Sequence, residues 1–218
     1  MVSPNVIQAI VPMKPIYEGK SRLNMVLSID ERASLSLMLL QNVLRSINNT
    51  KTYVEPRVVG GDSWVQSMAN QESAKWEPDF GGGPNKVVKD AVLSAFEIDI
   101  EGIIVLPGDL GFLNPHDIDQ MIDLSKNLTR AVIARATADG GTNAILMPNG
   151  MLIDPSFGPG SFERHLHLAN IANIPMSICN AKGLEFDLDR PEDLLAYRQS
   201  RSDFDEVLNW WTDKLKSI

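Results

Sequence analysis

The sequence predicts an α/β fold built on a largely parallel sheet, and two observations support this prediction. Short apolar runs typical of buried strands alternate along the chain with longer segments whose apolar residues recur at helical spacing. The run IEGIIVLPGD, residues 100–109, is continuously apolar at its centre, which indicates a middle strand covered on both faces. The alternation of strands and helices predicts helices on both faces of the sheet.

Each predicted element has a local signal. Apolar runs predict the strands, which we place at residues 6–11, 54–59, 103–106, 131–136, 143–147 and 176–179. Helical periodicity and capping residues predict the helices, which we place at residues 28–47, 86–96, 162–170 and 191–199, with another beginning at Pro115. The first helix opens with the capping box Ser28-x-x-Glu31, and Asn114 is the expected N-cap before Pro115. The segment WEPDFGGGPNK, residues 76–86, interrupts both patterns and predicts a loop.

The C-terminal segment has two open roles. We expect residues 1–218 to form a single domain, in which residues 203–218, DFDEVLNWWTDKLKSI, form an extra helix with one apolar side. That side either packs on the parent sheet or contacts a second copy in a homodimer, and the sequence favours neither role over the other.

Composition excludes several classes of protein. With 44% hydrophobic and 22% charged residues and no apolar run near the roughly 20 residues that a membrane span needs, we expect a soluble, cytoplasmic protein without a secretory signal. The net charge of −8 argues against nucleic-acid polymers and anionic membranes as partners. Cys179 is the only cysteine, so an internal disulfide is excluded, and the three histidines have no zinc-finger spacing. Any metal would therefore be held mainly by oxygen atoms.

The stretch VPMKPIYEGKSRL, residues 11–23, follows the first predicted strand and carries Lys14, Lys20 and Arg22. Loops after the first strand of α/β proteins often hold phosphates, but this loop lacks the usual glycine-rich pattern. We expect it to present side-chain cations instead, with Pro12 and Pro15 restricting the backbone around Lys14.

Aspartates at the ends of predicted strands are candidate metal ligands. Asp109 ends the apolar run of residues 103–106, and Mg²⁺ commonly uses one or two protein carboxylates. The alternative is that Asp109 only begins a turn. In FDLDRPEDL, Asp187 and Asp189 alternate and would point the same way in an extended chain. The alternative for Asp189 is that it caps the helix that begins at Pro191, and the sequence favours neither role over the other.

Two glycine-containing stretches are candidate anion sites. DGGTNA, residues 139–144, offers flexible backbone followed by the hydroxyl of Thr142. FGPGSFERH, residues 157–165, places Gly158, Gly160 and Ser161 at a helix N-terminus, where free N–H groups favour an anion, although Ser161 could be a simple cap. His165 shares a helix face with apolar neighbours, so we expect a packed rather than a catalytic histidine.

Taken in order, these motifs resemble one family over about residues 5–198. VPMKPIYEGKSRL, GGGPN, LPGDL, DGGTNA, FGPGSFERH and FDLDRPEDL are similar to the motifs of the 2-phospholactate guanylyltransferases of deazaflavin coenzyme F-420 biosynthesis. The resemblance implies a Rossmann-like three-layer α/β/α fold of the nucleotide-diphospho-sugar transferase type. It also implies Mg²⁺-dependent transfer of GMP from GTP to 2-phospho-L-lactate or phosphoenolpyruvate, giving lactyl-2-diphospho-5′-guanosine or its enolpyruvyl analogue and pyrophosphate.

The resemblance also assigns residues. The implied catalytic cations are Lys14, Lys20 and Arg22. The implied nucleotide-binding residues are Pro12, Lys14, Gly82, Gly83, Asn85 and Asp109. The implied phosphoacid-binding residues are Thr142, Gly158, Gly160 and Ser161, and the implied metal ligands are Asp109 with Asp187 or Asp189. Two positions depart from the usual motifs: Pro84 replaces a leucine, and PGDLG replaces Pro-Ala-Asp-Leu-Pro.

The chemistry of such a reaction suits these residues. A phosphate acceptor has a second pKa of about 6, so it attacks largely as an anion and needs no general base. Metal and cations must instead absorb charge on the α-phosphate and on the departing pyrophosphate. A sugar-1-phosphate nucleotidyltransferase, a glycosyltransferase and a non-catalytic nucleotide-binding module remain alternatives, and 2-phosphoglycerate remains a third candidate acceptor.

Overall fold

A seven-stranded sheet forms the centre of the protein, which is described here by a computed structural model covering residues 6–97 and 100–217. The strands are β1 (Ile7–Met13), β2 (Val54–Gly60), β3 (Lys75–Glu77), β4 (Gly102–Val105), β5 (Ala131–Arg135), β6 (Thr142–Pro148) and β7 (Met176–Cys179). Their order in space is β3-β2-β1-β4-β6-β5-β7. β6 runs antiparallel to β4 and β5, and the other neighbouring pairs are parallel. The prediction of a largely parallel sheet is confirmed.

Helices cover both faces of this sheet. They are α1 (Ile29–Asn48), α2 (Ser63–Gln71), α3 (Pro84–Phe96), α4 (Pro115–Leu124), α5 (Ser161–Ile171), α6 (Pro191–Ser200) and α7 (Phe204–Lys216). Apolar residues of β1 alternate between two core clusters. Val11 belongs to the cluster that contains residues of α1, α2, α4, α6 and α7, whereas Ile10 belongs to the cluster that contains residues of α3 and α5. Burial on both faces explains why the strands are continuously apolar, and it confirms the three-layer α/β/α arrangement.

Local signals placed most element boundaries within two residues. The capping box at the start of α1 is present: the Ser28 hydroxyl accepts from the Glu31 N–H at 3.3 Å, and Glu31 accepts from the Ser28 N–H at 2.7 Å. Asn114 caps α4 as predicted, by accepting from the His116 N–H at 3.0 Å. These short-range hydrogen bonds satisfy helix N–H groups that have no partner within the helix.

The region between β2 and α3 was predicted incompletely. α2 was not predicted, and the loop prediction for residues 76–86 is wrong at both ends, because Trp76 and Glu77 belong to β3 and α3 begins at Pro84. β3 is a three-residue edge strand held by parallel pairing with β2, so its formation depends on a distant partner rather than on a local apolar run.

Helix α7 packs on α1 rather than on the sheet itself. Ser34 and Thr212 share a buried hydroxyl–hydroxyl hydrogen bond of 2.9 Å, and Trp211 and Leu215 lie in the core. Of the two roles that the sequence left open, packing within the chain is present, but its main contact is with α1 and not with the sheet. Trp210 is 54% exposed, and the homodimer contact stays a prediction. Within the described residues, the longest apolar helical stretches fall short of what a membrane span requires.

Candidate active site

The candidate site lies where the neighbouring strands β1 and β4 end. The loop after β1 carries Lys14, Lys20 and Arg22, and the loop after β4 carries Asp109. The Asp109 carbonyl accepts from the Leu188 N–H at 3.2 Å, which draws the segment with Asp187 and Asp189 to the same edge. Ligands of open α/β sheets collect at this carboxyl edge.

An ion-pair network centred on a buried lysine joins the two loops and the segment with Asp189. The Lys20 ammonium lies 2.7 Å from Asp109 Oδ2 and 3.1 Å from Asp189 Oδ1, and its side chain is 5% exposed. Arg22 Nη1 lies 3.2 Å from Asp189 Oδ2. Burial lowers the pKa of Lys20, but the carboxylates of Asp109 and Asp189 raise it by more, so its pKa lies above its usual range and the ammonium stays charged.

Negative charge nevertheless remains crowded here. Burial, followed by the charges of Asp109 and Asp189, raises the pKa of Asp187 to about 6. Asp109 Oδ1 is buried and has no hydrogen-bond partner among residues 6–97 and 100–217. A buried carboxylate oxygen without a donor is costly, so this atom is available to a bound cation or hydrogen-bond donor.

Two cavities adjoin at Asp109. The first cavity, of about 370 Å³, is lined by the cations of the β1 loop and by Gly108, Asp109 and Asp189. The second cavity, of about 240 Å³, has Asp187, Thr142, Asn143 and Gly158 among its lining residues. Pro12, Pro107 and Asp109 line both cavities, so a molecule in either one can reach the Asp109 carboxyl group.

The β1 loop is held by an aspartate that the sequence analysis did not single out. Asp62 Oδ2 accepts from the Ile16 N–H at 2.9 Å, while its Oδ1 caps α2 by accepting from the N–H groups of Trp64 and Val65. One carboxylate thus fixes the loop that carries Lys14. The capping role was detectable in the sequence, since an aspartate preceding a helical stretch is a common N-cap.

Gly108, one of the departures from the usual family motifs, has a packing reason. A Cβ atom at this position would collide with the Met13 sulfur atom at the end of β1. The glycine therefore accommodates the methionine of VPMK.

Thr142 is oriented by two buried groups. Its N–H donates to the Ser161 hydroxyl at 2.8 Å, and its Oγ1 lies 2.9 Å from His165 Nδ1. His165 Nε2 accepts from the Ser156 N–H at 3.0 Å, and burial, followed by the charge of Arg164, lowers the pKa of His165 to about 4. The ring is therefore neutral with its proton inferred on Nδ1, which leaves the Thr142 hydroxyl proton free to donate elsewhere. His165 is a packed histidine, as predicted.

The helix N-terminus at FGPGSFERH differs from the expectation. Gly160, in the left-handed conformation, is the N-cap of α5, so a simple Ser161 cap is the wrong interpretation. The Ser161 N–H donates to the Gly158 carbonyl at 3.0 Å, and the Phe162 N–H donates to the Gly140 carbonyl at 3.2 Å. These two N–H groups are therefore not free for an anion, because the first is bonded within FGPGSFERH and the second ties FGPGSFERH to DGGTNA.

The glycine run and Asn85 lie outside the residues that line the two cavities. Asn85 Oδ1 accepts from the Phe157 N–H at 2.8 Å, and its Nδ2 donates to the Phe157 carbonyl at 3.4 Å, so the side chain ties α3 to the loop before α5. Gly82 and Gly83 are exposed with positive φ. Their predicted contact with the nucleotide stays a prediction.

The structure tests the capping and turn-forming roles considered for Asp189 and Asp109. Asp189 does not cap α6: Arg190 holds the N-cap position, and Asp193 Oδ2 accepts from the Asp189 and Arg190 N–H groups at 3.2 and 2.8 Å. Asp109 does lie in a turn, but its carboxylate is also part of the ion-pair network. The structure thus brings together Lys20, Arg22 and the three predicted aspartates.

Solved structures with a similar arrangement of elements define the fold of this protein. A nucleotide-diphospho-sugar transferase-like protein from Desulfovibrio desulfuricans is 14% identical with a TM-score of 0.73, covering 94% of this chain and 97% of that one. A 4-diphosphocytidyl-2C-methyl-D-erythritol synthase is 12% identical with a TM-score of 0.64, covering 90% and 99%. The chain has the nucleotide-diphospho-sugar transferase-like fold.

Sequence comparison defines the family. Residues 7–198 match the family described as guanylyl transferase CofC like, and the chain belongs to this family of nucleotidyltransferases. A phosphoenolpyruvate guanylyltransferase from Rubrobacter xylanophilus is 33% identical over 85% of this chain and 90% of its own length. A 2-phospho-L-lactate guanylyltransferase from Methanocaldococcus vulcanius is 31% identical over 85% of this chain and 81% of its own length.

Proposed function

We propose that this guanylyltransferase transfers GMP from GTP to 2-phospho-L-lactate or phosphoenolpyruvate in coenzyme F-420 biosynthesis and releases pyrophosphate. The observation that carries the proposal is that Asp109 lines both cavities, so two anionic substrates can meet at one carboxylate cluster. The names of the relatives supply the two acceptors.

The first cavity suits the nucleotide phosphates. Lys14, Lys20 and Arg22 line it, although the chain as a whole carries a net charge of −8. Local cations of this kind stabilise the α-phosphate and the pyrophosphate that leaves. Lys20 is buried and fixed by carboxylates, whereas Lys14 is exposed and can follow the phosphates as they move.

Mg²⁺ fits the carboxylate cluster by its chemistry. Asp109 Oδ1 lacks a partner among the described residues, and burial together with the charges of Asp109 and Asp189 raises the pKa of Asp187, so a cation would stabilise both carboxylates. Residues 6–97 and 100–217 hold no group of three or more His, Cys, Asp or Glu side chains arranged as a ready metal cage. Mg²⁺ does not need one, because it completes its shell with water and substrate phosphates. We propose that Asp109 with Asp187 or Asp189 holds it, and bound Mg²⁺ would withdraw charge from the phosphates.

The second cavity suits the phosphoacid. Thr142 can donate its hydroxyl proton there, and Gly158 lines the cavity. Ser161 and Gly160 hold the loop that carries Thr142 in place. Ser161 accepts from the Thr142 N–H, and the Gly160 N–H donates to the Asp139 carbonyl at 3.1 Å. The acceptor phosphate is its own nucleophile with a second pKa of about 6, so the chain has only to place it in line with the α-phosphate.

Pyrophosphate release tests this function. Each nucleoside triphosphate is combined with 2-phospholactate, phosphoenolpyruvate, 2-phosphoglycerate and a sugar 1-phosphate, in Mg²⁺ and again in excess chelator. We expect release only with GTP and a three-carbon phosphoacid, and only with metal. Release with the sugar phosphate alone would make the protein a sugar-nucleotide enzyme. GTP binding without release from any pair would make it a non-catalytic binding module.

A further inference from the structure

Asn143, a residue that lines the second cavity, has a buried and unused hydrogen-bond donor. It follows Thr142 at the start of β6, is 5% exposed and lines the cavity. No residue in the described part of the chain accepts from its amide Nδ2. Buried side-chain amides are nearly always paired, so an unpaired one at a cavity wall indicates a missing partner.

The neighbouring polar groups have few donors left for a second anion. The Thr142 N–H donates to Ser161, and Asp139 Oδ1 accepts from the Gly141 N–H at 2.8 Å. Thr142 Oγ1 is bonded to His165, so one hydroxyl proton is all that Thr142 has left to donate, and we assign it to the acceptor phosphate. The carboxylates of Asp139 and Asp187 also line this cavity. A second anion entering here is repelled by them, so it needs a dedicated donor, and the Asn143 amide is placed to supply one.

The rest of the wall is apolar. Val88, Val105 and Phe157 line the cavity together with prolines and Ala136. The occupant therefore has a hydrogen-bond acceptor on one side and a hydrocarbon group on the other. In a three-carbon phosphoacid whose phosphate lies at Asp109, the carboxylate and C3 are the two groups that remain.

We propose that Asn143 selects the acceptor by donating a hydrogen bond from Nδ2 to its carboxylate. The inference rests on the proposed function and adds to it the group of the acceptor that is recognised and the residue that recognises it. Because a site with a buried polar group rejects analogues that leave the group unpaired, Asn143 discriminates against phosphates that lack the carboxylate.

The test compares two substrates that differ only in this group. Isopropyl phosphate is 2-phospholactate with a methyl group in place of the carboxylate. Asn143→Leu keeps the approximate volume and removes the donor, and Asn143→Asp also places a negative charge against the carboxylate. Asn170→Leu, at an exposed asparagine of α5, is the matched control. Steady-state pyrophosphate release gives kcat and KM for each pair, and thermal unfolding reports folding.

We expect Asn143→Leu to lower kcat/KM for 2-phospholactate about 10- to 100-fold, mainly through a higher KM, with the KM for GTP unchanged. The slow reaction with isopropyl phosphate should keep its kcat/KM, so the ratio of kcat/KM for 2-phospholactate to that for isopropyl phosphate should fall by the same factor. Asn143→Asp should lower kcat/KM for 2-phospholactate at least as much, and Asn170→Leu should leave it unchanged. Equal losses with both phosphates, or an unchanged preference, would overturn the proposal. If Asn143→Leu does not fold, the same comparison of 2-phospholactate with isopropyl phosphate in Asn143→Asp tests the proposal.

Failure of the proposed guanylyl transfer can be distinguished from failure of carboxylate recognition by Asn143. If the wild-type protein releases no pyrophosphate with any pair, guanylyl transfer is wrong, and the shift in unfolding temperature caused by 2-phospholactate then tests Asn143 directly. A shift that is present in the wild type and lost in Asn143→Leu supports recognition of the carboxylate. A shift that survives the substitution, or none in the wild type, contradicts it.

Discussion

The two cavities that meet at Asp109 are built by different forces. The first is held by ion pairs, and its cations range from Lys20 at 5% exposure to Arg22 at 67%. The second is held by neutral hydrogen bonds among buried groups, chiefly Thr142, Ser161 and His165. This difference suits their proposed tasks, because pyrophosphate is stabilised by cations as it leaves, whereas the acceptor needs a rigid side that fixes its orientation. Substitutions should therefore affect catalysis in the first cavity and stability together with acceptor binding in the second.

The largest effect is expected from Asp109→Asn, at the junction of the cavities. It removes the charge that faces both substrates, so kcat should fall about 100- to 1000-fold at saturating substrates. Lys20 keeps Asp189 as a partner, so the unfolding temperature should change little. Asp123→Asn, at an exposed aspartate of α4, is the control for steady-state kinetics and thermal unfolding. A variant with wild-type kcat would contradict the assignment of Asp109.

His165→Leu should damage the second cavity through stability. It leaves the Ser156 N–H without its acceptor and Thr142 Oγ1 without its donor, so the free energy of unfolding should fall by about 2–3 kcal/mol, with a higher KM for the acceptor. Denaturant titration measures the loss, and His167→Leu, on the exposed side of α5, is the control. Equal stability of the two variants would argue against the supporting role of His165.

The pH dependence of stability gives His165 a second signature. Its pKa falls from 6.5 to about 4 on folding, so below pH 6.5 the unfolded chain takes up a proton that the folded chain refuses. The free energy of unfolding therefore falls as pH drops from 6.5 towards 4, and His165→Leu should lose this part of the dependence. A pH profile of unfolding that is unchanged by the substitution would show that another group is responsible.

Lys14→Ala should affect catalysis alone. Lys14 is exposed and lines the first cavity, so its loss should lower kcat/KM for GTP about 10- to 30-fold without changing the unfolding temperature. Lys51→Ala, at another exposed lysine, corrects for the change in net charge. If Lys14→Ala raises the KM of the phosphoacid and spares GTP, the assignment of the two cavities is reversed.

The smallest effect is expected from Asp187→Asn and has the opposite pH dependence. The pKa of Asp187 rises from 3.8 to about 6 on folding, so its contribution to stability is present below pH 3.8 and is lost as pH rises through 6. At pH 8 the variant should be more stable than the wild type by about 1–2 kcal/mol, allowing for solvent screening, and at pH 4 it should be nearly equal. Turnover should fall, since a carboxylate of the cluster is lost. Equal stability at pH 8 would show that burial and the neighbouring carboxylates do not raise the pKa of Asp187.

The elements with local signals were predictable from the sequence. Buried strands such as β4 consist of apolar runs because both of their faces are covered. The starts of α1 and α4 are indicated by their capping residues. β3 and α2 were missed because they are short and depend on neighbours: β3 has three residues and forms only by pairing with β2.

The candidate site was predictable where a single charged residue lies in the loop that follows a strand, as Lys20 and Asp109 do. It was not predictable where a contact joins distant segments. Asp62 holds Ile16 across 46 positions, and the unused amide of Asn143 becomes visible only when its surroundings are known. For the same reason Ser161 and Gly160 were expected to face a ligand, although they bind the loop that carries Thr142 and Asp139.

The most direct test of the central claim is pyrophosphate release by the wild-type protein at saturating GTP and Mg²⁺, with and without 2-phospholactate or phosphoenolpyruvate. If two substrates meet at Asp109, release requires both, and one guanosine diphosphodiester forms for each pyrophosphate. Release from GTP alone, or no release with either acceptor, would contradict that claim.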